Sequence, residues 1–330
     1  MIDIRKIEHG YWWDAQGKFN SLMNNEDKLK ELTVQMTDRC NLQCKKCNKR
    51  NFTFEDMKAV DIIRIIEEAC DLGLKHIHLT GGEPTLHKDL PYVISLCKEK
   101  GLRIDMSSNG KFSCKIMKEI SNAGIDSINI SWDFIDEEPM CIKDQYVFDY
   151  GIDVFVNHMV MPSNYRELSD FLSFVEFYYT DHSKIIDIQL MPPRGDAQKF
   201  TKEQIIEFRE IAKECYEISK KRFPMVEHKI LNMLEYDEAE KGIYHDKITW
   251  PCHRSKSELR VGTKGFTTCT YLYRDGHTIC GLDKSVKEAW SLCKEMCKNA
   301  PPIKEMCDLS CSPEVCDFNR IIETVKNLYE

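Results

Sequence analysis

The sequence predicts an α/β fold built on a parallel sheet with helices on its outer side. Six apolar runs of strand length alternate with longer stretches that carry apolar residues at helical spacing. Parallel strands require crossover connections of that length, whereas antiparallel strands can be joined by short turns. Polar and cysteine-containing motifs follow several of these runs, and sites in such folds form at the carboxyl ends of the strands.

The strands and helices alternate along the first two thirds of the chain. The predicted strands are 32–36, 76–80, 103–107, 127–131, 153–160 and 184–190. The predicted helices are 57–72, 88–100, 113–123, 137–150, 164–179 and 202–221. Six such units are too few for a closed eightfold barrel.

The composition is that of a globular protein with an ordinary buried core. The chain has 330 residues, of which 42% are hydrophobic, and this length suits one barrel-sized domain with a smaller second domain. A formal net charge of −8 argues against general nucleic-acid binding, which needs a basic surface. The sequence carries neither a secretory signal nor an apolar segment long enough to span a bilayer, so we predict a cytoplasmic location and no membrane partner.

Three cysteines, Cys40, Cys44 and Cys47, follow the first predicted strand in one short loop. Three thiolates are one ligand short of the four that an iron–sulfur cube requires, so one iron stays open for another molecule. A zinc site would need a fourth protein ligand, and an odd number of closely spaced cysteines does not suit a disulfide framework. The loop is therefore predicted to hold a 4Fe–4S cluster with one open position.

A second motif, Gly81-Gly82-Glu83-Pro84, follows the second predicted strand. Glycines allow the backbone to approach a ligand closely, and the neighbouring acid can meet a cationic group. Together with the cysteine loop, this motif resembles the radical S-adenosylmethionine (radical SAM) enzymes. The resemblance implies a partial (β/α)6 TIM-like barrel, in which residues 81–84 hold the methionine amino end of S-adenosylmethionine (SAM). Lys46 stands where the family usually has an aromatic residue, which leaves the adenine contacts open.

Two further segments resemble parts of the family's SAM site. Ser108 and Asn109, after the third strand, are predicted to contact the ribose, although this segment is also a good turn sequence. Ser131, at the end of the fourth strand, is predicted to contact the methionine carboxylate. Asp133 is a candidate general base, and a structural aspartate is the alternative.

Polar residues also lie within the predicted strands. Asn157 and Gln189 are predicted either to point into the barrel as polar contacts or to be satisfied buried amides. His76 and His78 share one strand face, and we predict neutral histidines in hydrogen bonds. The single cysteines in helical stretches are predicted to pack as small apolar side chains; they are Cys70, Cys97, Cys114, Cys141 and Cys215.

Eight cysteines after Trp250 mark a second domain; they are Cys252, Cys269, Cys280, Cys293, Cys297, Cys307, Cys311 and Cys316. With a turn and strand at 263–269 and a short helix at 282–290, their order resembles the SPASM or twitch extension of radical SAM enzymes. That resemblance implies one or two auxiliary 4Fe–4S clusters. Carried over by order, one cluster would use Cys252, Cys269 and Cys311 with Cys280 or an exogenous group, and the other would use Cys293, Cys297, Cys307 and Cys316. Four-cysteine zinc sites are the alternative.

These features divide the chain into an N-terminal extension (1–31), a barrel (32–222), a bridging segment (223–250) and an auxiliary-cluster domain (251–330). The resemblance implies a radical SAM oxidoreductase that cleaves SAM to a 5'-deoxyadenosyl radical and takes hydrogen from its substrate. The preferred reaction is oxidative modification of a peptide or protein, as in maturation of ribosomally made peptides, with a flavodoxin- or ferredoxin-type electron donor. A dehydrogenase or epimerase of a small polar metabolite, such as an aminosugar or nucleoside, stays open. So does a non-catalytic electron carrier or zinc module.

Overall fold

The computed structural model describes residues 28–44, 47, 54–180, 184–191, 200–220, 222–223, 226, 230, 257–267 and 278–299. Eight strands of these ranges form a single sheet. The strands are β1 (Glu31–Thr37), β2 (His76–Gly81), β3 (Arg103–Ser108), β4 (Ser127–Ser131), β5 (Asp153–Met159), β6 (Asp187–Met191), β7 (Glu258–Gly262) and β8 (Gly265–Thr267). The predicted strands 32–36 to 184–190 correspond to β1 to β6.

Seven helices accompany the strands in the described ranges. They are α1 (Ala59–Asp71), α2 (Leu90–Glu99), α3 (Cys114–Ala123), α4 (Met140–Lys143), α5 (Leu168–Val175), α6 (Lys202–Ser219) and α7 (Val286–Asn299). The prediction of one helix over 137–150 was wrong, because only α4 forms there, between the 3₁₀ turns Ile135–Glu137 and Tyr146–Phe148. Pro139 sits at the start of α4 in an extended conformation, and Gln145 has a left-handed backbone with φ of 60° that ends the helix.

The sheet is parallel over seven strands and open, as the alternating pattern predicts. Its order is β6-β5-β4-β3-β2-β1-β7-β8, and β8 alone runs antiparallel to its neighbour. β1 pairs with β2 on one side and with β7 on the other. The turn and strand predicted from residue 263 onward are therefore present, and β7 and β8 extend the same sheet as the barrel strands.

The hydrophobic core lies between the sheet and the helices. Alternate residues of each strand are fully buried there, for example Leu32, Val34 and Met36 of β1 against Ile62 and Ile66 of α1. The intervening positions point to the other side, which we call the inner face. Its residues, named by strand, include Gln35 (β1), His76 and His78 (β2), Asp105 and Ser107 (β3), Asn129 and Ser131 (β4), Asn157 (β5) and Gln189 (β6).

The segment before α7 is anchored on α1. The Arg64 side chain donates to the carbonyl oxygen of Leu282 at 2.7 Å, and Glu68 accepts from the backbone N–H of Val286 at 2.6 Å. The helix predicted at 282–290 begins at Val286 and continues to Asn299. In the ranges that the structure describes, we find no helix with the length and apolar character of a membrane span.

Candidate functional site

The cysteine loop leaves the carboxyl end of β1. The thiols of Cys40 and Cys47 are half-buried, and that of Cys44 is exposed. The backbone N–H of Cys47 donates to the carbonyl of Cys44 at 3.0 Å, which turns the chain. No three histidine, cysteine or acidic side chains of the described residues are gathered as a metal site. Lys46, the departure from the family pattern, lies outside those residues.

The donor set of this loop fits an iron–sulfur cluster held by three protein ligands. Burial raises the pKa of the Cys40 thiol, a hydrogen bond from the Leu42 N–H lowers it, and the nearby charges of Glu83 and Cys47 raise it. The same anionic groups favour a bound cation, because thiolate ligands replace their protons with metal. Asn109 Nδ2 lies 3.8 Å from Cys40 Sγ and stabilises the thiolate form.

Residues at the base of the loop hold it against two other segments. Arg39 makes a bidentate ion pair with Asp56, with distances of 2.8 and 2.6 Å, and also donates to the carbonyl of Leu86 at 2.7 Å. The Thr37 hydroxyl donates to the same carboxylate at 2.5 Å. These contacts fix the direction in which the cysteine loop leaves the sheet, and the sequence motifs gave no signal for them.

Asp38 joins the cysteine loop to the far end of the chain. Its buried carboxylate accepts from Gln35 Nε2 at 2.5 Å and from the hydroxyl of Thr263 at 2.8 Å. Thr263 belongs to the turn between β7 and β8, in the segment predicted as the auxiliary-cluster domain. The position of the loop therefore depends on residues more than two hundred positions away.

The two glycines of the second motif lie directly against the base of the cysteine loop. The N–H of Gly82 donates to the carbonyl of Thr37, and that of Glu83 to the carbonyl of Arg39, both at 2.7 Å. A Cβ atom at Gly82 would lie 2.0 Å from the Arg39 carbonyl oxygen, and one at Gly81 would lie 2.6 Å from that of Thr37. The close approach that these glycines permit in this structure is to the cysteine loop; their predicted approach to a ligand stays a prediction.

The carboxylate of Glu83 is fully buried and joins the β2 and β3 loops. It accepts from the Thr85 and Ser108 hydroxyls at 2.7 and 2.9 Å and from the backbone N–H of Asn109 at 2.8 Å. Burial raises the pKa of Glu83, and these hydrogen bonds oppose the rise. Pro84 begins a short 3₁₀ turn that Glu83 caps. In this structure Glu83 forms its hydrogen bonds with neighbouring protein groups. The predicted contacts of these residues with SAM stay predictions.

Asn109 links the β3 loop to the cysteine loop. Besides Cys40, its Nδ2 donates to Asn41 Oδ1 at 2.8 Å, and Asn41 in turn donates to the carbonyl of Lys111 at 2.8 Å. Its own Oδ1 accepts from the N–H of Lys111 at 2.8 Å. Asn109 was predicted to contact ribose, and the structure places its side chain beside Cys40, a predicted cluster ligand.

Ser131 and Asp133 follow β4 at the same edge of the sheet. Ser131 is half-buried and pairs in register with Asn157 of β5. The buried Asp133 carboxylate accepts from the backbone N–H of Met159 at 2.7 Å, and Asn164 donates to the Asp133 carbonyl at 3.0 Å. These contacts join the ends of β4 and β5, as the structural alternative predicts, and the catalytic assignment stays a prediction.

Most of the late cysteines lie outside the described residues, namely Cys252, Cys269, Cys307, Cys311 and Cys316. Cys297 is in α7. Cys293, also in α7, is buried in the hydrophobic core, and Cys280 is half-buried beside β8, where its carbonyl accepts from the Phe266 N–H at 2.9 Å. The auxiliary clusters therefore stay predictions. Among the helical cysteines, Cys97, Cys141 and Cys215 are buried as predicted, whereas Cys70 is half-buried and Cys114 is exposed.

His76 and His78 form hydrogen bonds as predicted, and the surroundings of His76 favour its protonated form over the predicted neutral one. Both rings contact the buried carboxylate of Asp105, His76 through Nε2 and His78 through Nδ1 at 2.5 Å. Burial by itself lowers the pKa of His76, but hydrogen bonds with Asp105 and Glu31 outweigh it and raise the pKa to about 9. Charges and hydrogen bonds of the two histidines hold the pKa of Asp105 well below its usual range, although burial opposes this.

Comparison with known proteins identifies the segment that carries these motifs. Residues 34–175 match the family model described as the Radical SAM superfamily. The chain is 27% identical over 183 residues to a probable GTP 3',8-cyclase of Sulfolobus acidocaldarius, covering 49% of this chain and 56% of the relative. It is 31% identical over 113 residues to a probable GTP 3',8-cyclase of Methanococcus maripaludis, covering 33% of this chain and 38% of the relative. The chain thus matches about half of the length of the first relative and less than half of the second.

Solved structures resemble the chain over a larger part of its length. Streptococcus suis SuiB bound to precursor peptide SuiA matches with a TM-score of 0.61 and 16% identity, covering 84% of this chain and 68% of SuiB. The structure of anSMEcpe with bound AdoMet matches with a TM-score of 0.59 and 14% identity over 87% of both chains. At these identities the likeness establishes the fold.

Proposed function

Residues 34–175 of this chain belong to the Radical SAM superfamily, and from that premise we propose that the protein cleaves SAM reductively and removes hydrogen from a carbon of its substrate. One observation carries the proposal. The backbone of Gly82 and Glu83 is hydrogen-bonded to that of Thr37 and Arg39, so the second motif lies against the base of the cysteine loop. The segments that we propose to bind the cluster and SAM, which follow two successive strands along the chain, therefore lie side by side.

The residues of this site have separate tasks in the proposed reaction. Cys40, Cys44 and Cys47 hold a 4Fe–4S cluster as thiolates. When bound, the cluster and SAM supply the electron and the 5'-deoxyadenosyl radical that takes the hydrogen atom. Asn109 donates toward the Cys40 sulfur, and Arg39 holds the loop through its ion pair. Backbone groups of residues 81–84 and the Ser131 hydroxyl orient the methionine end of SAM, and Ser108 orients its ribose.

The finer proposal is oxidative modification of a peptide or protein. Support comes from the fold, because SuiB and anSMEcpe have both been solved with peptides. An oxidation must also pass an electron from the substrate radical to an acceptor. Auxiliary clusters ligated by the late cysteines would accept this electron. A flavodoxin- or ferredoxin-type protein would supply the electron that reduces the cluster of the cysteine loop.

A nucleotide or other small polar metabolite is the second candidate substrate. The sequence relatives are probable GTP 3',8-cyclases, whose reaction is not a simple oxidation. The inner face of the sheet also suits a small polar molecule, because most of its positions carry side chains that can form hydrogen bonds.

The first experiment tests the radical SAM activity itself. Anaerobically reconstituted protein is incubated with SAM and dithionite, and 5'-deoxyadenosine is quantified together with iron and acid-labile sulfide. We expect the variant C40A/C44A/C47A to form at least a hundredfold less 5'-deoxyadenosine than the wild type. It should also lack the iron that this loop binds. Cys114→Ala, which removes an exposed thiol outside the site, is the control. Undiminished 5'-deoxyadenosine from the triple variant would refute the assignment.

The second experiment separates the two substrate classes. The active protein is supplied in parallel with peptides encoded beside its gene and with GTP, and products are analysed by mass spectrometry. A peptide that loses two hydrogens in a SAM-dependent manner supports the oxidative maturase. Conversion of GTP without change in any peptide would refute the oxidative maturase and support a nucleotide substrate.

A further inference from the structure

The inner face of the sheet carries amide side chains on three successive strands. Asn129 lies on β4, Asn157 on β5 and Gln189 on β6; we call these three residues the amide wall. Asn157 pairs in register with Gln189, and Asn129 lies one inner-face position further from the carboxyl ends. Diagonal positions of this kind on neighbouring strands are about 8 Å apart, within the span of one small planar group and its hydrogen bonds.

A fixed contact sets the orientation of the Asn129 amide. Its Nδ2 donates to Asp105 Oδ2 at 2.9 Å. The same carboxylate is hydrogen-bonded to the rings of His76 and His78. The reverse orientation would place the amide oxygen against a carboxylate, which is repulsive. Asn129 therefore turns its Oδ1 away from Asp105.

Two carbonyl oxygens of the amide wall have no hydrogen-bond partner in the part of the chain that the structure describes. Asn129 is 1% exposed, and neither its Oδ1 nor the buried Oδ1 of Asn157 accepts a hydrogen bond from any residue within the described ranges. Buried polar atoms in proteins nearly always have a partner, because an unsatisfied one destabilises the fold. Two such acceptors on neighbouring strands indicate a donor that lies outside the described residues.

The inner face becomes more accessible toward the carboxyl ends of the strands. Asp105 and Asn129 are buried, whereas Ser131, Asn157 and Gln189 are half-buried. This is the edge from which the cysteine loop and the Gly81–Pro84 motif project, since both follow strand ends. A molecule that enters beside the SAM site would reach the amide wall with its leading end.

We propose that the amide wall binds an uncharged amide-type group of the substrate, with Asn129 and Asn157 accepting hydrogen bonds from its N–H donors. This assignment rests on the proposed function, because it makes the wall the substrate-recognition part of that site. The amide edge of a nucleobase and the amide of a peptide share this chemistry. Amide side chains match such groups because each offers both a donor and an acceptor.

The test uses the full-length reconstituted protein with SAM bound and no reductant, so that it does not depend on turnover. Asn157→Leu keeps the side-chain volume and removes the unpaired carbonyl, and Asn129→Ala removes the other. Asn122→Ala, on the exposed surface of α3, is the control. The probes are GTP, N1-methyl-GTP and N-acetyl-Gly-Gly-amide; binding is measured by ligand-observed NMR, and stability by the thermal midpoint without probe.

We expect Asn157→Leu to raise the thermal midpoint and to weaken binding of GTP or the peptide amide at least tenfold. Preference for GTP over its N1-methyl derivative would identify a nucleobase as the source, and binding of the acetylated peptide would identify a peptide. A lower midpoint in Asn157→Leu shows that its carbonyl is satisfied, for instance by water, and overturns the proposal. Failure of wild-type protein to bind either probe, or equal binding by all variants, also overturns it.

These outcomes are independent of SAM cleavage. If the protein releases 5'-deoxyadenosine but gives one of these overturning results, the role of the amide wall is refuted and the proposed function stands. Should Asn129→Ala fail to fold because Asp105 loses a donor, Asn157→Leu alone decides, since no hydrogen bond joins Asn157 to that cluster among the described contacts.

Discussion

Replacing Gly82 by alanine should loosen the contact that brings the two motifs together. The new Cβ would lie 2.0 Å from the carbonyl oxygen of Arg39, 2.4 Å from its carbonyl carbon and 2.8 Å from the carbonyl oxygen of Asp38. All three are backbone atoms, which cannot rotate away as a side chain would. The two segments must therefore separate by about 1.4 Å to reach an ordinary contact distance of about 3.4 Å.

That separation breaks the two 2.7 Å hydrogen bonds from the Gly82 and Glu83 N–H groups, because hydrogen bonds weaken steeply beyond about 3.5 Å. Each lost bond costs about 1 kcal/mol, and the remaining strain costs about 1–2 kcal/mol. We expect Gly82→Ala to lower the free energy of unfolding by about 3 kcal/mol. Its cysteine loop should also take up less iron during anaerobic reconstitution.

Urea unfolding followed by circular dichroism measures the first effect, and colorimetric iron analysis the second. Gly281→Ala is the matched control, because its Cβ would meet only the flexible carboxylate of Asp283, at 2.6 Å from Oδ1. We expect a change below about 1 kcal/mol there. If Gly82→Ala unfolds at the urea concentration of the wild type and binds as much iron, the reasoning from backbone contact is wrong.

Three other predictions concern charge and thiol chemistry. The folded pKa of His76, about 9, exceeds its ordinary value of 6.5, so the stabilisation it provides is complete below pH 6.5 and is lost as pH rises through 9. The free energy of unfolding should fall by about 3 kcal/mol over that window in the wild type and stay flat in His76→Gln; equal slopes would contradict the contact with Asp105. Arg39→Lys keeps the charge but loses the bidentate geometry, so it should cost about 1 kcal/mol and speed the removal of iron by a chelator, and an unchanged rate would exclude a role in holding the loop. Burial raises the pKa of Cys97 to about 12, so iodoacetamide at pH 8 should label the exposed Cys114 and spare Cys97, as peptide mass spectrometry would show.

Local patterns were sufficient to predict the architecture. Strands β1 to β6 begin and end within three residues of the apolar runs, because alternation of apolar residues reports which positions each strand buries. The pattern failed over residues 137–150, where apolar spacing is helical but Pro139 and the left-handed Gln145 restrict the helix to one turn. Backbone geometry at two positions outweighed the spacing of side chains there.

In the candidate site, too, some features were predictable from the sequence and others depended on the tertiary structure. The cysteine loop and the Gly81–Pro84 motif were recognisable because the residues that define each are adjacent in sequence. The tertiary structure alone decided that Glu83 bonds to the β3 loop and that Asp38 bonds to Thr263. It also decided that the two histidines share the carboxylate of Asp105. Such partners are chosen by strand register and by the packing of distant segments, and neither is encoded in the spacing of neighbouring residues.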